Sequence, residues 1–300
     1  MPGPKLINRD SILVKKPAIQ LLLELLSHCS IRTQYRIGAL FSFFINRIPN
    51  QLSTLAENNI RLCLDGLNRD KQASLKKDAI LHTCYSLIEL AAVWCWTPEK
   101  ILARVVMENV CDQFTSSNRG KIIIAPHLGS WELLNIWLAS RTPLISLYKP
   151  QRNSSTDRFI LQSRSRNGAQ LVPTNTSGLR QIIKGIKQGS SILILPDQKP
   201  RAGKAQIDSR FFGHAAPTTP LVRNICRKLD CDVFIAVMYR RQPCGSFGLS
   251  IEPLDHQKLA AGEAESAQYL NDQIESLVNL HLEQYQWAYK RFANSEYQSL

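Results

Sequence analysis

Short apolar runs alternate with amphipathic stretches through the second half of the chain. The runs are rich in β-branched residues and are bounded by polar or turn-forming residues, which is typical of buried strands. They cover residues 122–125, 143–148, 169–173, 190–196, 233–239 and 247–251. Most of them are separated by segments whose apolar residues recur at helical spacing. This alternation predicts an α/β fold, with a largely parallel sheet flanked by helices.

The first third of the chain has a helical pattern instead. Residues 50–67 and 78–107 are expected to form helices, and the second is strongly apolar. Before them, the apolar patches at 19–26 and 37–48 are both shorter than the roughly 18 residues needed to span a bilayer. Neither patch is therefore expected to cross a membrane.

Residues 17–48 favour an amphipathic hairpin of two helices that lies on a membrane surface. Apolar side chains would point into lipid while basic side chains lie among the headgroups. The apolar set is Leu40, Phe41, Phe43 and Phe44, and the basic set is Arg32, Arg36 and Arg47. The alternative is that these helices simply pack on the core. The pattern thus divides the chain into a helical N-terminal, membrane-proximal region at 1–110, with a basic start at 1–16, and an α/β core at 111–300. The two regions can also pack as one domain.

The stretch 121–140 has the clearest chemistry. Its strand is stopped by Pro126, and a helix follows with Ser130 as a plausible N-cap and Glu132 in the first turn. His127 lies in the loop between them and can fold back onto that turn. We interpret His127 as a general base that takes a proton from an attacking hydroxyl, and Glu132 as the carboxylate that orients the ring. The alternative is that His127 caps the helix and Glu132 is solvated.

Two more predicted strands end in chemically useful residues. Lys149 and Asp197 follow their strands as His127 follows its own. Because active residues collect at the carboxyl ends of parallel strands, these three side chains are expected to share a cleft. Asp197 would support catalysis there, or would cap the next turn or pair with Arg164. Arg164 would hold a substrate phosphate, or would be a solvated surface arginine.

Composition limits the partners. The chain has 37 Lys and Arg against 24 Asp and Glu, a formal net charge of +13, which favours nucleic acid, an anionic membrane or an acidic carrier protein. Nucleic acid ranks last because the basic residues are scattered and no standard binding motif is present. The eight cysteines form no C-x-x-C pair, which indicates reduced thiols in a cytosol-facing protein. No second His lies near His127 and no H-E-x-x-H motif is present, so neither a metal nor another cofactor is expected.

The segment H-L-G-S-W-E is similar to the H-x4-[DE] motif of the bacterial lipid A biosynthesis (lauroyl/myristoyl) acyltransferase family. Later segments extend the resemblance over residues 121–292. They are R-S-R-N-G around Arg164, P-D-Q around Asp197, F-F-G with the following A-x-T, and Q-Y-x-W-x-x-K-R-F near the C-terminus. The resemblance implies a glycerolipid-acyltransferase-like fold. It also implies an enzyme that moves a fatty acyl chain from acyl carrier protein to a hydroxyl of a lipid A precursor, at the cytoplasmic face of the bacterial inner membrane.

The same resemblance implies roles for particular residues. His127 and Glu132 would be catalytic, and a second set would bind substrate: Arg164, Asp197, Lys149, Phe211, Phe212 and Gly213. Paired aromatic residues before a glycine suit the wall of an acyl-chain pocket, with ordinary core packing as the alternative.

The substrate stays open at this point. The chain lacks the clear spanning helix that family members commonly carry, and Glu132 gives a variant of the motif that other acyltransferases share. The acceptor is therefore a lipid A precursor or another membrane lipid, such as a lyso-aminolipid, a glycolipid or a lysophospholipid. A noncatalytic lipid-binding relative is the remaining alternative. An anionic membrane lipid is an expected partner. The aromatic residues of segment 284–292 would lie at a lipid–water interface or dock a C-terminal helix.

Overall fold

The computed structural model describes residues 16–201, 203–241 and 245–298. Its strands are β1 (Val105–Val110), β2 (Lys121–Ile124), β3 (Leu144–Tyr148), β4 (Gln170–Pro173), β5 (Ser191–Ile194), β6 (Arg210–Phe211), β7 (His214–Ala215), β8 (Asp232–Arg240) and β9 (Phe247–Pro253). The main sheet has the order β1-β9-β8-β2-β5-β3-β4, while β6 and β7 form a separate hairpin. Neighbours in the main sheet are parallel except for β8 and β9. The predicted α/β fold with a largely parallel sheet is confirmed.

Helices flank the sheet and build the N-terminal third of the chain. They are α1 (Ala18–Ser27), α2 (Ile31–Ile45), α3 (Gln51–Cys63), α4 (Arg69–Ile88), α5 (Leu90–Cys95), α6 (Pro98–Leu102), α7 (Asp112–Ser116), α8 (Trp131–Ala139), α9 (Ser154–Arg164), α10 (Thr176–Lys187), α11 (Leu221–Cys226), α12 (His256–Ala260), α13 (Glu263–Leu280) and α14 (Asn294–Gln298). Short 3₁₀ turns lie at Arg166–Gly168 and Leu282–Gln284. The predicted helix–strand alternation is thus present from β2 onward.

Strand β2 lies inside the sheet, where the side chains of Ile122, Ile123 and Ile124 present apolar surface to both faces. It is hydrogen-bonded to β5 on one side and to β8 on the other, and all its residues are buried. Ile122 and Ile124 belong to one apolar cluster and Ile123 to another, as the alternation of side chains along a strand requires. The segment that follows β2 therefore starts from a firmly held position.

The helix expected over residues 78–107 is wrong in its second half. The chain forms α4, α5 and α6 there and then enters β1, which pairs in parallel with β9. Thr97 caps a new helix that has Pro98 at its start, and a proline has no N–H with which to continue an earlier helix. The β-branched Val105 then favours a strand. A division of the chain into two units at residue 110 stays a prediction.

Helices α1 and α2 form the two-helix segment that the sequence predicts. Helix α2 packs against α4, where the ring centroids of Tyr35 and Tyr85 are 4.6 Å apart. Other large apolar side chains of these two helices are exposed: Ile19, Leu21, Leu22, Leu25, Leu40, Phe41, Phe43 and Phe44. None of the helices within the described ranges has the length and apolar character needed to cross a membrane. The basic start of the chain lies outside the described residues, except for Lys16.

Three aromatic residues of segment 284–292 are part of the core, and the fourth, Tyr289, is half-buried. Tyr285, Trp287 and Phe292 are 5%, 1% and 1% exposed, so they do not reach a lipid–water interface. These side chains dock the segment on the core, as the alternative of a docked C-terminal helix expected. The segment is not a helix, however, because after the 3₁₀ turn it is extended or turn-like. Because this segment lies beside the loop after β2, it helps to build the site.

Candidate active site

The loop between β2 and α8 carries His127. Hydrogen bonds between the backbone of this loop and two neighbouring segments of the chain hold it in place. The N–H of Gln286 donates to the His127 carbonyl at 3.1 Å, and the N–H of Ser130 donates to the Met238 carbonyl at 2.6 Å. Gly129 has a φ of +62°, and a Cβ at this position would lie 2.2 Å from the Met238 carbonyl oxygen. Only glycine fits a backbone that bends this way so close to β8.

The ring of His127 is paired with Asp197, which follows β5. The Nδ1 atom lies 2.8 Å from Asp197 Oδ1, and the backbone N–H of His127 donates to Oδ2 at 2.8 Å. Burial raises the pKa of the Asp197 carboxyl group, but charge attraction to His127 and these two hydrogen bonds hold the pKa below its ordinary value. An ionised carboxylate only accepts hydrogen bonds, so Nδ1 carries a proton, and Nε2 is the ring nitrogen that bears the lone pair in a neutral imidazole.

The predicted contact between Glu132 and the His127 ring is not formed. Instead, Arg164 holds Glu132, with its Nε donating to Oε2 at 2.9 Å and its Nη2 donating to Oε1. Trp94 Nε1 also donates to Oε2, at 3.3 Å. The physical reason is that Asp197 already occupies Nδ1 of the ring, while the planar guanidinium of Arg164 matches a carboxylate with two parallel donors. Asp197 therefore has the position that the sequence interpretation gave to Glu132.

Two cavities meet at these side chains. Their volumes are about 360 Å³ and 310 Å³, and the residues that line both are His127, Trp131, Glu132, Arg164 and Gln198. The first cavity extends along the carboxyl ends of β3, β4 and β5, and the second extends toward α4 and α5. Gln198 Nε2 lies 3.3 Å from His127 Nε2. The His127 ring thus lies where the two cavities join.

The three strand-end residues do come together at one edge of the sheet. His127 and Lys149 line the first cavity, and Lys149 is exposed at its mouth. Asp197 is 3% exposed and lies behind the ring that it holds. Arg164 also lines this cavity, at the end of α9. It pairs with Glu132 rather than with Asp197.

Residues 211–213 lie elsewhere. Phe211 is 1% exposed and packs on Tyr285 and Phe292, with ring centroids 6.0 and 6.3 Å away. Phe212 and Gly213 have φ of +49° and +78° and form the two-residue turn between β6 and β7. None of the three lines either cavity. The structure places them in the core and in a turn, and not on the wall of a pocket beside His127.

Some residues of the site had little or no signal in the sequence. Gln198 is a weak feature of the P-D-Q segment, and Gln286 occupies the x position of Q-Y-x-W. Trp131 packs edge-on against the His127 ring, with centroids 5.2 Å apart. Trp94 had no signal, because an aromatic residue in an apolar helical stretch is more often core.

The donor atoms within the described ranges do not suggest a metal centre. No group of three or more His, Cys, Asp or Glu side chains there is arranged to hold an ion. The described cysteines are free, and Cys244 lies outside the described residues. The groups that line the site include an imidazole, a carboxylate, a guanidinium and an amide.

A family model for bacterial lipid A biosynthesis acyltransferases matches residues 18–294. The chain belongs to this family. It is 22% identical to the lipid A biosynthesis palmitoleoyltransferase of Escherichia coli (strain K12), over 86% of this chain and 82% of that protein. It is also 22% identical to the lipid A biosynthesis lauroyltransferase of the same strain, over 86% of this chain and 84% of that protein.

A solved structure, the 1-acyl-sn-glycerophosphate acyltransferase PlsC of Thermotoga maritima, aligns with a TM-score of 0.39 and 17% identity. The alignment covers 87% of this chain and 96% of that one. Membership in the lipid A biosynthesis acyltransferase family confirms the resemblance carried by H-L-G-S-W-E, and the protein is an acyltransferase.

Proposed function

We propose that the protein is a membrane-associated O-acyltransferase that moves a fatty acyl chain from acyl carrier protein to a hydroxyl of a lipid A precursor. The observation that carries the proposal is the His127–Asp197 pair where two cavities join, in a chain of the lipid A biosynthesis acyltransferase family. Two cavities suit a reaction between two substrates, because each substrate is then oriented on its own side of the base. The names of the palmitoleoyl- and lauroyltransferase relatives support a lipid A precursor as acceptor.

In the proposed reaction, His127 Nε2 accepts the proton of the acceptor hydroxyl while the oxygen of that hydroxyl attacks the thioester carbonyl carbon. The tetrahedral intermediate collapses with cleavage of the C–S bond, and the imidazolium returns the proton to the leaving thiolate. The products are an ester and a free thiol. Asp197 keeps Nδ1 protonated and stabilises the imidazolium. This replaces Glu132 as the orienting carboxylate.

Glu132 acts through Arg164 in this proposal. Burial lowers the pKa of Arg164, but the charge and hydrogen bonds of Glu132 raise it more, so the guanidinium stays charged beside the base. Glu132 takes the Nε and Nη2 donors. The Nη1 donors remain for a substrate phosphate or for the oxyanion that forms during acyl transfer.

The donor and the membrane are proposed from charge and exposed apolar surface. A net charge of +13 favours both an acidic carrier protein and anionic lipid. The exposed side chains of α2, Leu40, Phe41, Phe43 and Phe44, suit shallow insertion between headgroups. The protein would then lie on the cytoplasmic face of the bacterial inner membrane, where both substrates meet.

The test is a turnover assay with purified protein and acyl carrier protein charged with chains of different length. The acceptors are a tetra-acylated lipid A precursor with Kdo sugars, a lyso-aminolipid and a lysophospholipid. We expect turnover on the lipid A precursor. His127→Ala should lower kcat by about 10² to 10⁴-fold, the usual contribution of a general base. The matched control is His256→Ala, since His256 Nε2 donates to the Leu229 carbonyl at 2.9 Å and lines neither cavity.

Different outcomes separate the parts of the proposal. Turnover that survives His127→Ala contradicts the mechanism. Turnover confined to the lyso-aminolipid or lysophospholipid keeps the mechanism and replaces the acceptor. A folded protein that turns over none of the acceptors is evidence for the noncatalytic alternative.

A further inference from the structure

Arg240, at the end of β8, is a charged residue in the interior of the protein. Its side chain is 1% exposed and pairs with Glu89, which is 2% exposed and joins α4 to α5. Arg240 Nε donates to Glu89 Oε2 at 2.8 Å, and Nη2 donates to Oε1 at 2.7 Å. An ion pair this deeply buried often adds little net stability, because both charges lose their hydration. The other contacts of Arg240 indicate a role other than stability.

One of those contacts is with the loop that carries His127. Arg240 Nη2 donates to the carbonyl of Gly129 at 3.0 Å, two residues after His127. The N–H of Gly129 donates to the Gln284 carbonyl at 3.1 Å. The side chain of Gln284 in turn accepts from the Arg240 N–H at 2.8 Å and donates to the Arg240 carbonyl at 3.1 Å. Both polar groups of the Gly129 backbone are therefore tied to Arg240, one directly and one through Gln284.

The guanidinium itself is held by the N-terminal helices. The hydroxyl of Tyr35, on α2, donates to Glu89 Oε2 at 2.8 Å. Ser86, on α4, accepts from Arg240 Nη2 at 2.6 Å. His82 Nδ1 lies 3.5 Å from Nη1. Side chains from α2 and α4 thus fix a cation whose far side binds the catalytic loop.

The charge of this cation does not vary near neutral pH. Burial lowers the pKa of Arg240, but Glu89 and Tyr35 raise it more. His82 stays neutral, because burial and the Arg240 charge lower its pKa to about 3. The Gly129 carbonyl therefore faces a constant positive charge with a fixed geometry.

We propose that Arg240 is a positioning residue for acyl transfer, which sets the His127 loop through the Gly129 carbonyl and is itself oriented by Glu89 and Tyr35. The inference rests on the proposed role of His127 as the general base. It assigns a part in catalysis to α2, a helix that contributes no residue to either cavity around His127. A displacement of the loop by about 1 Å moves Nε2 relative to the acceptor hydroxyl, and misplacement of this size costs about 10²-fold in rate.

Tyr35→Phe is the sharpest test, because it removes one hydroxyl and keeps the ring that packs on Tyr85. We expect kcat to fall about tenfold while KM changes less than twofold. The matched control is Tyr269→Phe. It removes a hydroxyl on α13 that accepts from the Asp255 N–H. The urea midpoint should fall more for Tyr35→Phe, whose hydroxyl binds a buried carboxylate, than for Tyr269→Phe, and only Tyr35→Phe should lose kcat. A merely structural hydroxyl would affect the midpoint and leave kcat per folded molecule unchanged.

A second pair of variants tests Arg240 itself. Arg240→Met should lower kcat at least tenfold with little change in KM, and Arg240→Lys should recover part of the loss because an ammonium can still donate to the Gly129 carbonyl. If Arg240→Met does not fold, Tyr35→Phe decides alone. Normal kcat in folded Tyr35→Phe, beside an inactive His127→Ala, overturns the inference and leaves the proposed function intact. Activity that survives His127→Ala overturns the proposed function and the inference with it.

Discussion

Asp197 lies 70 positions after His127 and still supplies both hydrogen bonds that fix its ring and its backbone. The pair forms because β2 and β5 are neighbours in the sheet, so the residues that follow these strands meet. A buried carboxylate that accepts from both the ring and the backbone of His127 gives the imidazole a single orientation. Substitution of Asp197 therefore tests the mechanism directly.

The first prediction is for Asp197→Asn. An asparagine can still accept from the His127 N–H, but its amide group can face Nδ1 only as a donor. The ring would then carry its proton on Nε2 and could not act as a base. We expect kcat to fall by at least about 10²-fold, measured with the substrate that wild type turns over. A variant within threefold of wild type would contradict the proposed role of Asp197.

The second prediction concerns stability and pH. The folded pKa of Asp197 is below its ordinary value of about 3.9. The ionised Asp197 carboxylate thus stabilises the native state above about pH 4, and this contribution is lost as pH falls through the lower folded pKa. The urea midpoint of wild type should exceed that of Asp197→Asn at pH 6, and the gap should narrow toward pH 3. A gap that does not change with pH would show that the pKa is not lowered.

The third prediction compares two arginines of α9. Arg164 lines both cavities and is held by Glu132, whereas Arg158 is exposed and lines neither. If Arg164 binds a substrate phosphate or the oxyanion, Arg164→Ala should lower kcat/KM by about 10²-fold or more. Arg158→Ala should leave kcat/KM within twofold. Equal effects of the two variants would indicate a general charge effect rather than a specific contact.

At the scale of elements, the loop from β2 to α8 depends on one close approach. Gly129 lies against the backbone of β8. Its N–H donates to the Gln284 carbonyl, its carbonyl accepts from Arg240, and the next N–H, of Ser130, donates to the Met238 carbonyl. A side chain there would push the loop away from β8. Since His127 is two residues away, the ring would move with it.

The fourth prediction is that Gly129→Ala destabilises the protein and removes activity. An alanine at positive φ costs about 1–2 kcal/mol, and a clash with backbone adds about 1–3 kcal/mol. Gly168→Ala is the control, because Gly168 has a φ of +88° and a Cβ there meets nothing within 4 Å. Thermal unfolding should show a small loss for Gly168→Ala and a larger one for Gly129→Ala. Equal losses would mean that the contact with β8 does not constrain the loop.

At the scale of the whole molecule, exposed apolar residues on α1 and α2 accompany a net charge of +13. Together they favour adsorption to an anionic lipid surface by two forces, burial of apolar side chains and attraction between charges. The core of the protein supports these helices through the contact of α2 with α4. The arrangement would bring the site close to lipid without a spanning helix.

The fifth prediction separates the two forces with vesicles of anionic phospholipid. Phe41→Ser with Phe44→Ser should weaken binding about tenfold or more, because burial of a large apolar side chain is worth about 1.5–3 kcal/mol. The control combines Met107→Ser with Leu280→Ser, two exposed apolar positions away from α1 and α2. Raising salt from 0.1 M to 1 M shortens the Debye length from about 10 Å to about 3 Å and should weaken binding of all variants. Binding that neither change affects would contradict a membrane role for α2.

The sequence by itself determined the strands of the main sheet from β2 onward, though not the short β6–β7 hairpin, and the loop that carries His127. These features depend on neighbouring residues: β-branched apolar runs form buried strands, and Pro126 ends one of them. It also determined which strand ends bear polar residues, and so the edge of the sheet where His127, Lys149 and Asp197 lie. The same local logic missed β1, because its few residues follow a helical stretch closely and only pairing with β9 makes them a strand.

Only the tertiary structure decided which side chains pair. The spacing of H-L-G-S-W-E suggested Glu132 as the partner of His127, yet Asp197 reaches the ring because β5 lies beside β2, and Arg164 reaches Glu132 from α9. The position of Arg240 against Gly129 likewise depends on the order of β8 and β2 in the sheet. Hydrogen bonds between residues far apart in the chain leave no periodic pattern in the sequence, because each depends on two positions that only folding brings together.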